Sequence, residues 1–583
     1  MKKLLCLLLP CMVLWLSCSD GQFLDDTITT DLDYNAVFSD STYTVGFLTE
    51  IYKEVGFDTN PSRFSDEHRA FGGLQTACDE AQYRIEPRIT TDVQFVTGTI
   101  NPVIITDDAW SKCYENIRRA NVFLASVDKS PLSQSRKTTY KAEARFLRAW
   151  YYFILLRHYG GIPLIGDNIY GLDDEIKTER NSFEECVEYI VSECTEAAGF
   201  LTAKPMGRDN GRAGAGACRA LISRVRLYAA SPLFNGSNFG AEGFDKKLVG
   251  YPNYDIDRWK QAMDAAQSVI AMGTYDLYVD NSEEAGRGFY RIMFYSNWAQ
   301  QGVYVESIFD HKAPYGSGRE NLFSPPSRGR AAGGFPYQEF VDDFPMKNGK
   351  SISDPASGYQ ETDPYKDRDP RFYNTIVIDQ TVLPNKGGAL PINIYLLANG
   401  TPSGQDAVHQ GTSTGYYINK MVSRDIAAND IHGGAQDRPL MRYGEILLNY
   451  AEARNEYSGP SDEIYEILKR LRERGGIEPG DDNMFGLKEN MSQIEMREAI
   501  RLERRLELAI EGHRFWDVRR WMIAEDTENR MMTGMEVYLQ ADGSRQYVRF
   551  NVQRHIFAKQ MYLWPFPDRE VAKSTKLVQN PYY

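Results

Sequence analysis

Apolar residues recur at helical spacing over two long blocks of the chain. In residues 141–161 the apolar side chains that share one face of the predicted helix are Ala142, Phe146, Ala149, Phe153 and Leu156. The same periodicity predicts helices over 110–127, 182–201, 215–231 and 258–275. Small residues, often Ala, occupy the positions where these helices would meet. This combination is typical of tetratricopeptide-like helix hairpins, whose period is about 34 residues.

The helical pattern is absent between residues 276 and 437, where Gly, Pro, Ser, Asn and aromatic residues interleave. Since a structureless loop of that length is uncommon in a compact domain, we expect short strands, turns and ligand-binding loops there. Helical periodicity returns over 438–457, 462–476 and 496–521. The segment after residue 525 has no clear period.

These patterns predict a mostly α protein with about four tetratricopeptide-like helix hairpins and a loop-rich variable insert that carries short strands. Residues 41–583 are interpreted as one domain, because no flexible linker separates the helical blocks. Its predicted parts are a helical scaffold over 41–275 and 438–525, the insert over 276–437, and an irregular C-terminal segment over 526–583.

The first residues have the pattern of a bacterial export signal. Lys2 and Lys3 are followed by an apolar run over 4–16, which is shorter than the roughly 20 residues of a membrane span, and then by the small residue Ser17. The run ends at Cys18 in a sequence that resembles a lipobox, although Trp15 stands where Leu is typical. We therefore predict a signal peptide over 1–17.

Cys18 is then expected to become the lipidated first residue of the mature protein, at the start of a tether over 18–40. Several acyl chains give stable membrane anchoring, whereas one chain binds only marginally. The acidic residues that follow, among them Asp25 and Asp26, are similar to the start of surface lipoproteins and indicate the outer face of an outer membrane. The alternative is ordinary secretion, with Cys18 as a spare thiol.

The composition of the chain argues against several classes of function. The formal net charge of −14 argues against binding of nucleic acid, which needs a positive surface. Beyond residue 18 the cysteines are Cys78, Cys113, Cys186, Cys194 and Cys218, which have irregular spacing and are interpreted as buried thiols. The seven His residues lack metal-ligand spacing, so no metal site or cofactor is predicted.

Aromatic residues make up 12% of the chain, and exposed aromatic rings are suitable platforms for sugar rings.

One carboxylate pair has the spacing of a catalytic dyad. Glu503 and Glu507 lie four residues apart on a predicted helix. This spacing brings the two carboxylates to roughly the 5 Å separation of the catalytic pair in a retaining glycosidase. The neighbouring Arg501, Arg504 and Arg505 favour structural ion pairs instead, because a catalytic acid needs a raised pKa. We therefore predict no catalytic residues.

Two other stretches could be mistaken for ligand loops. Residues 211–217 contain spaced glycines, but no strand precedes them and no Lys-Ser/Thr follows, so a helix entry is favoured over a phosphate loop. Residues 363–373 are rich in Asp but lack the ligand spacing of an EF-hand. An Asp-Pro turn is the better interpretation.

Several segments look like the signature segments of SusD/RagB outer-membrane lipoproteins. They are 142–165, 211–235, RDPRFY (368–373), RYGEILLNYAEARNE (442–456), ERRLELAIEGHRFWDVRRW (503–521) and the closing 562–583. The resemblance implies four tetratricopeptide-like units and a lid over a SusC-like, TonB-dependent transporter, to which the protein delivers oligosaccharides. Cys18 would tether this lid to the outer membrane.

The predicted function is therefore binding of a glycan without catalysis. A surface glycoside hydrolase and a binder of peptides remain alternatives, and a scaffold that holds a protein is compatible with the first function. No motif in the variable loops allows ligand residues to be transferred from the family. We predict ligand contacts in two segments: Tyr290, Tyr295 and Trp298 in one, and Asp79, Glu80 and Tyr83 in the other. The competing interpretation is that these aromatic residues are buried beneath the helices.

Overall fold

The computed structural model describes residues 34–64, 72–83, 90–106, 109–171, 174–176, 179–293, 303–329, 333–385, 388–424, 434 and 436–583. The predicted signal peptide, Cys18 and the tether up to residue 33 lie outside these residues. Within the described part of the chain, no helix is long and apolar enough to cross a membrane.

The N-terminal block is helical, as its apolar periodicity predicts. Its helices are α1 (Tyr34–Ser39), α2 (Ser41–Lys53), α3 (Thr91–Thr97), α4 (Ala109–Ser126), α5 (Gln134–Tyr159), α6 (Phe183–Ala198), α7 (Ala215–Ala230) and α8 (Asp257–Ile270). Short 3-10 turns lie at Leu74–Thr76, Val127–Lys129, Gly207–Asp209 and Lys246–Leu248, and β1 spans Ala81–Gln82. From α4 to α8 each helix packs against the next one in the chain.

Helix α5 shows how the sequence sets these boundaries. The Ser133 side chain caps its first turn by accepting a hydrogen bond from the Arg136 N–H. The apolar face that includes Phe146 and Phe153 is buried. The helix ends at Gly160, which has φ of +79° and lies so close to the Leu248 carbonyl that a Cβ would approach it to 2.6 Å. The predicted helix and its end are confirmed.

The insert contains short elements, as predicted. Its helices are α9 (Arg287–Arg291), α10 (Gly318–Phe323), α11 (Gln338–Asp343) and α12 (Pro370–Thr375), with a 3-10 turn at Val303–Val305. Its strands are β2 (Ser307–His311), β3 (Phe335–Pro336), β4 (Ile376–Val377), β5 (Val382–Leu383), β6 (Leu390–Pro391), β7 (Leu396–Leu397) and β8 (Tyr417–Ile418). The described pairs within it are β4 with β8 and β5 with β6, both antiparallel.

The C-terminal part returns to helices and ends in a hairpin and a short tail. Its elements are β9 (Arg438–Arg442), α13 (Tyr443–Ser458), α14 (Asp462–Gly475), α15 (Gln493–Glu507), α16 (Arg514–Arg520), α17 (Ala524–Glu528), β10 (Met531–Leu539), β11 (Arg545–Arg554), a 3-10 turn at Lys559–Tyr562, and α18 (Asp568–Val571). Strand β10 also pairs in parallel with β7 of the insert.

The insert interrupts one helix pair of the scaffold. Helix α8 precedes the insert and α13 follows it, yet the two pack against each other, and Trp259, Ala262 and Ala453 share one hydrophobic cluster. In the scaffold α4 packs on α5, α6 on α7 and α8 on α13, while α14 and α15 both pack mainly on α13. This arrangement confirms the mostly helical, tetratricopeptide-like fold class.

A strand pair joins the insert to the segment that follows it. Strand β2 is antiparallel to β9, with Ser307 opposite Arg442 and His311 opposite Arg438. This pairing ties the insert to the start of α13. The loops that follow β2 therefore begin at a strand that is held in place by β9.

The segment after residue 525 is more regular than the expectation of an irregular tail. Strands β10 and β11 form an antiparallel hairpin with Leu539 opposite Arg545. Gly543 occupies the turn with φ of +85°, and its N–H donates to the Gln540 carbonyl. An Asp-Gly step between alternating apolar residues was the available signal for this hairpin. The five cysteines are free and buried, as predicted.

Candidate functional site

Asp79 and Glu80 lie beneath the surface, immediately before β1. Arg514 donates two hydrogen bonds of 2.8 Å to the Asp79 carboxylate, and Arg505 donates one of 2.7 Å. Burial alone would raise the pKa of Asp79, but these two guanidinium groups hold it well below its usual range. Asp79 is therefore a buried anion that secures β1 to the segment around α15 and α16.

Glu80 is also buried, but no cation among the described side chains forms an ion pair with it. Its Oε1 accepts a 3.0 Å hydrogen bond from the Ile510 N–H, and burial raises the pKa of its carboxyl to about 7. Because neither Asp79 nor Glu80 is more than 1% exposed, neither can contact a ligand in this conformation. In this structure they support β1 and present almost no accessible surface where ligand contacts were predicted.

Tyr83 follows β1 and is half-buried at the end of a polar network. The Ser413 hydroxyl donates to the Gln82 side chain, and the Gln82 amide donates to Gln553 Oε1 at 3.0 Å. Gln553 in turn donates to the Tyr83 hydroxyl at 3.4 Å. Side chains from the N-terminal block, the insert and the β10–β11 hairpin therefore meet here.

The protonation of Tyr83 suits hydrogen bonding to a neutral ligand. Burial raises the pKa of its hydroxyl, the hydrogen bond from Gln553 opposes this shift, and the nearby Asp92 carboxylate raises the pKa further. The hydroxyl is therefore protonated at neutral pH. The side chain combines a partly accessible ring with a donor held in place by an amide.

Tyr290 lies in α9 and is covered by another side chain. It is 8% exposed, and the Arg424 guanidinium lies 4.3 Å from its ring centroid. Its hydroxyl accepts a 2.6 Å hydrogen bond from the Arg424 N–H. The ring therefore packs beneath Arg424 in this conformation. Tyr295 and Trp298 lie outside the described residues.

Helix α10 brings the predicted segments together. Phe323 at its end shares a hydrophobic cluster with Ala81, next to Gln82, and with Ile292 and Met293, which follow Tyr290 by two and three residues. At the same end of the helix, the Gly333 N–H donates to the Leu322 carbonyl at 3.0 Å. Arg319 of α10 also donates a 3.0 Å hydrogen bond to the Met293 carbonyl, so α10 contacts the segment of Tyr290 directly and shares an apolar cluster with the segment of Tyr83.

The other end of α10 is held by buried polar contacts. Glu320 is fully buried; its carboxylate accepts hydrogen bonds from the Ser423 N–H at 3.3 Å and from the Gln436 amide at 3.1 Å. Gln436 also accepts from the Arg319 N–H at 2.9 Å. These contacts fix the chain on either side of the helix. No sequence motif marked Glu320 or Gln436, since their partners are distant in the chain.

Tyr315 is an exposed aromatic residue near the start of α10, with 63% of its surface accessible. The adjacent Gly316 forms an antiparallel bridge with Gly434. Tyr83 lies near the opposite end of α10, because Gln82 pairs with Phe335 and the nearby Gly333 N–H donates to the Leu322 carbonyl of α10. The arrangement therefore provides one tyrosine near each end of a helix, with amide and hydroxyl groups beside Tyr83.

Glu503 and Glu507 are ion-paired, as predicted, but their partners are distant in the chain and are not the neighbouring Arg501, Arg504 and Arg505. They belong to a buried cluster whose cations are Arg371, Lys420, Arg442, Arg472 and Arg474 and whose carboxylates are Asp369, Glu306, Glu503, Glu507 and Glu511. Burial would raise the pKa of Glu507, but Arg474, Arg442 and Arg371 hold it well below its usual range. The cluster joins the insert to α13, α14 and α15. In the described part of the chain, no three His, Cys, Asp or Glu side chains group as a metal site.

Comparison with known proteins identifies the family. A family model described as "SusD family" matches residues 290–583, half of the chain. A second model, described as "Starch-binding associating with outer membrane", matches residues 75–227. The chain belongs to the SusD family, which confirms the resemblance of its signature segments.

Individual relatives extend this match over most of the chain. SusD-like protein P2 of Formosa agariphila is 23% identical over 478 residues, which cover 81% of this chain and 79% of the relative. A crystal structure of a SusD-like protein from Bacteroides fragilis is similar with a TM-score of 0.74 and 26% identity, covering 94% of this chain and 98% of that one. A protein described as a laminarin-binding SusD-like protein shares the fold, with a TM-score of 0.58, 20% identity and coverage of 94% and 100%.

Proposed function

We propose that this protein binds oligosaccharides at the outer membrane through the surface at α10, Tyr83 and Tyr315. The observation that carries the proposal is the placement of a tyrosine near each end of α10, together with the Gln82–Gln553 amide pair. Tyrosine rings offer apolar faces to the C–H side of a sugar, and amides exchange hydrogen bonds with its hydroxyls. The laminarin-binding relative and the starch-binding family description support this ligand class.

In this proposal the protein binds the glycan and does not catalyse its hydrolysis. A retaining glycosidase needs one carboxyl with a raised pKa to protonate the leaving oxygen. The pKa of Glu507 is instead lowered by three arginines, and Glu503 is buried against Arg371 and Arg472. The two glutamates therefore stabilise the fold through ion pairs.

The captured glycan is passed, in this proposal, to a SusC-like, TonB-dependent transporter in the outer membrane. Support comes from the family and from the predicted signal peptide over 1–17, which precedes Cys18. A lipid on Cys18 would hold the protein beside its partner through the tether over 18–40. Co-purification from mild detergent, in cells that express both proteins, tests the partnership. Repeated recovery of this chain alone would contradict it.

Substitution of the two tyrosines tests the proposed surface. The mature protein is titrated with a panel of polysaccharides, and Tyr83→Ala and Tyr315→Ala are compared with wild type. Loss of a central aromatic platform costs about 2 kcal/mol, so each variant should bind at least tenfold more weakly. Tyr254→Ala is the matched control, since Tyr254 is 61% exposed but lies next to α8, outside the insert. Unchanged affinity in both tyrosine variants would contradict the proposed site.

A further inference from the structure

A second cleft lies in the helical scaffold, and it is built without the insert. It has a volume of about 1010 Å³ and is lined by the first half of α4, the chain between α5 and α6, and the C-terminal residues 570–577. Pockets for small ligands commonly enclose about 300–1,000 Å³. None of the described lining residues belongs to 276–437, so the cleft is separate from the surface at α10.

The wall of the cleft contains aromatic side chains held in fixed orientations. Trp110 packs against Tyr114 with ring centroids 4.6 Å apart and meets the edge of Phe566 at 5.2 Å. The Tyr114 hydroxyl donates a 2.8 Å hydrogen bond to the Pro163 carbonyl. Tyr170 lies in the chain between α5 and α6, where its carbonyl accepts a hydrogen bond from Arg118 of α4. Trp110, Tyr114 and Tyr170 all remain partly accessible.

The rim of the cleft has equal numbers of positively and negatively charged side chains. Its charged residues are Arg118, Lys573, Lys576, Glu175, Glu179 and Glu570, three of each sign. Two of the cations are already engaged by protein groups: Lys573 Nζ lies 3.0 Å from Glu570 Oε1, and Arg118 donates to Tyr170. Such a rim has no net charge with which to select an anion or a cation. It offers donors and acceptors together, and Ser574 and Thr575 add hydroxyl groups to the lining.

We infer that this cleft is a second binding site for a neutral oligosaccharide. An aromatic wall takes the apolar faces of sugar rings, and a rim with donors and acceptors but no net charge pairs with uncharged hydroxyls. A chain of sugar units bound at α10 and in this cleft would be held at two points. Two linked sites bind a long chain more tightly than either site alone, without new contacts at either one.

Protection of lysines from acetylation tests this inference in the mature, full-length protein. The rim lysines Lys573 and Lys576 are exposed, and a bound glycan should slow their acetylation by severalfold, as measured by mass spectrometry. Lys260 on α8 is the internal control, because its side chain is 48% exposed and lies outside the cleft. The probes are maltohexaose, laminarihexaose and xylohexaose at millimolar concentration, with a tryptic peptide mixture as the comparison.

Two variants separate this cleft from the surface at α10. Protection should disappear in Tyr170→Ala and persist in Tyr315→Ala, whereas affinity at the α10 surface should fall only in Tyr315→Ala. Loss of protection in Tyr315→Ala, or no protection by any hexasaccharide, would overturn the second site even if the α10 surface binds glycan. Protection by the peptide mixture alone would assign the cleft to another ligand class and overturn it as well.

Discussion

Arg224 on α7 and Glu445 on α13 form a two-point ion pair in the interior. Arg224 Nε and Nη2 lie 2.7 and 2.6 Å from the two carboxylate oxygens, and both side chains are buried. The pair joins a helix that precedes the insert to one that follows it. Burial lowers the pKa of Arg224, but the Glu445 carboxylate outweighs this effect and raises it. The two helical blocks are thus held together by charge as well as by apolar packing.

Replacement of Glu445 by Gln should strongly destabilise the fold. The substitution preserves volume but leaves the Arg224 guanidinium buried without its carboxylate, and breaking such a pair costs about 3–5 kcal/mol. Urea denaturation followed by circular dichroism should show a midpoint at clearly lower urea concentration.

The matched control is Glu188→Gln on α6. Glu188 also forms a two-point ion pair, with Nη1 and Nη2 of Arg226 at 2.6 and 2.9 Å, but its side chain is 53% exposed. An exposed pair contributes about 0–1 kcal/mol, so this variant should unfold close to wild type. Equal effects of the two substitutions would contradict the importance of burial.

The helices of the scaffold could be predicted from periodicity, most clearly α6 and α8, which bury one face each. The apolar positions of α5 and the breaks at Gly160 and Gly161 mark the element within the local sequence. The pairing of α8 with α13 could not be predicted in this way, since the partners lie on opposite sides of the insert. The β10–β11 hairpin was missed although Asp542 and Gly543 mark its turn, because the surrounding segment was interpreted only by its irregular composition.

The candidate site was less predictable than the fold. Asp79 and Glu80 carry polar side chains in a loop-like sequence, and their burial depends on Arg505, Arg514 and Ile510, more than 400 residues away. Tyr83 was identified, but its hydrogen bond to Gln553 depends on the register of a distant hairpin. A single sequence contains no local signal for such contacts.

Glu80 should make stability fall as pH rises toward neutrality. Its folded pKa is about 7, above the ordinary value of 4.5, so the native state binds more protons than the unfolded state between these values. The free energy of unfolding therefore decreases from about pH 4.5 to about pH 7 on account of this group. Above pH 7 its contribution is constant.

Glu80→Gln should remove this decline, because the amide cannot ionise and can still accept from the Ile510 N–H. At pH 8 the variant should be more stable than wild type by about 3 kcal/mol, and near pH 4.5 the two should be similar. Urea denaturation at several pH values measures the difference. Subtraction of wild type from variant cancels the contributions of Asp79 and Glu507, whose lowered pKa values act at lower pH. If the free energy of unfolding depended on pH in the same way for wild type and variant, the raised pKa of Glu80 would be wrong.

Removal of the proposed lipid site should release the protein from membranes. Cys18→Ala should give a folded protein that is recovered in the soluble fraction, because no acyl chain is then attached. Fractionation after a salt wash and immunoblotting measure the distribution, and Cys78→Ala, at a buried thiol, is a control that should remain with membranes. Retention of the Cys18→Ala protein in the membrane fraction would contradict tethering through this residue.

Gln553 should affect glycan binding by positioning Tyr83. Its amide connects the Gln82 side chain to the Tyr83 hydroxyl, so Gln553→Leu removes both hydrogen bonds while the bulk of the side chain is kept. We expect affinity for the bound polysaccharide to fall by about threefold to tenfold, since a net hydrogen bond is worth about 0.5–1.5 kcal/mol and the ring loses its fixed orientation.

The control for this variant lies on the same strand. Gln546 is exposed on β11 and accepts a hydrogen bond from the Gln540 amide at 3.3 Å, so Gln546→Leu should leave affinity unchanged. Calorimetric titration gives the affinities, and thermal denaturation shows whether the hairpin stays folded. If Gln553→Leu melts near wild type and binds equally well, Tyr83 does not depend on the amide network. If both leucine variants weaken binding equally, the effect comes from the strand and not from the contact with Tyr83.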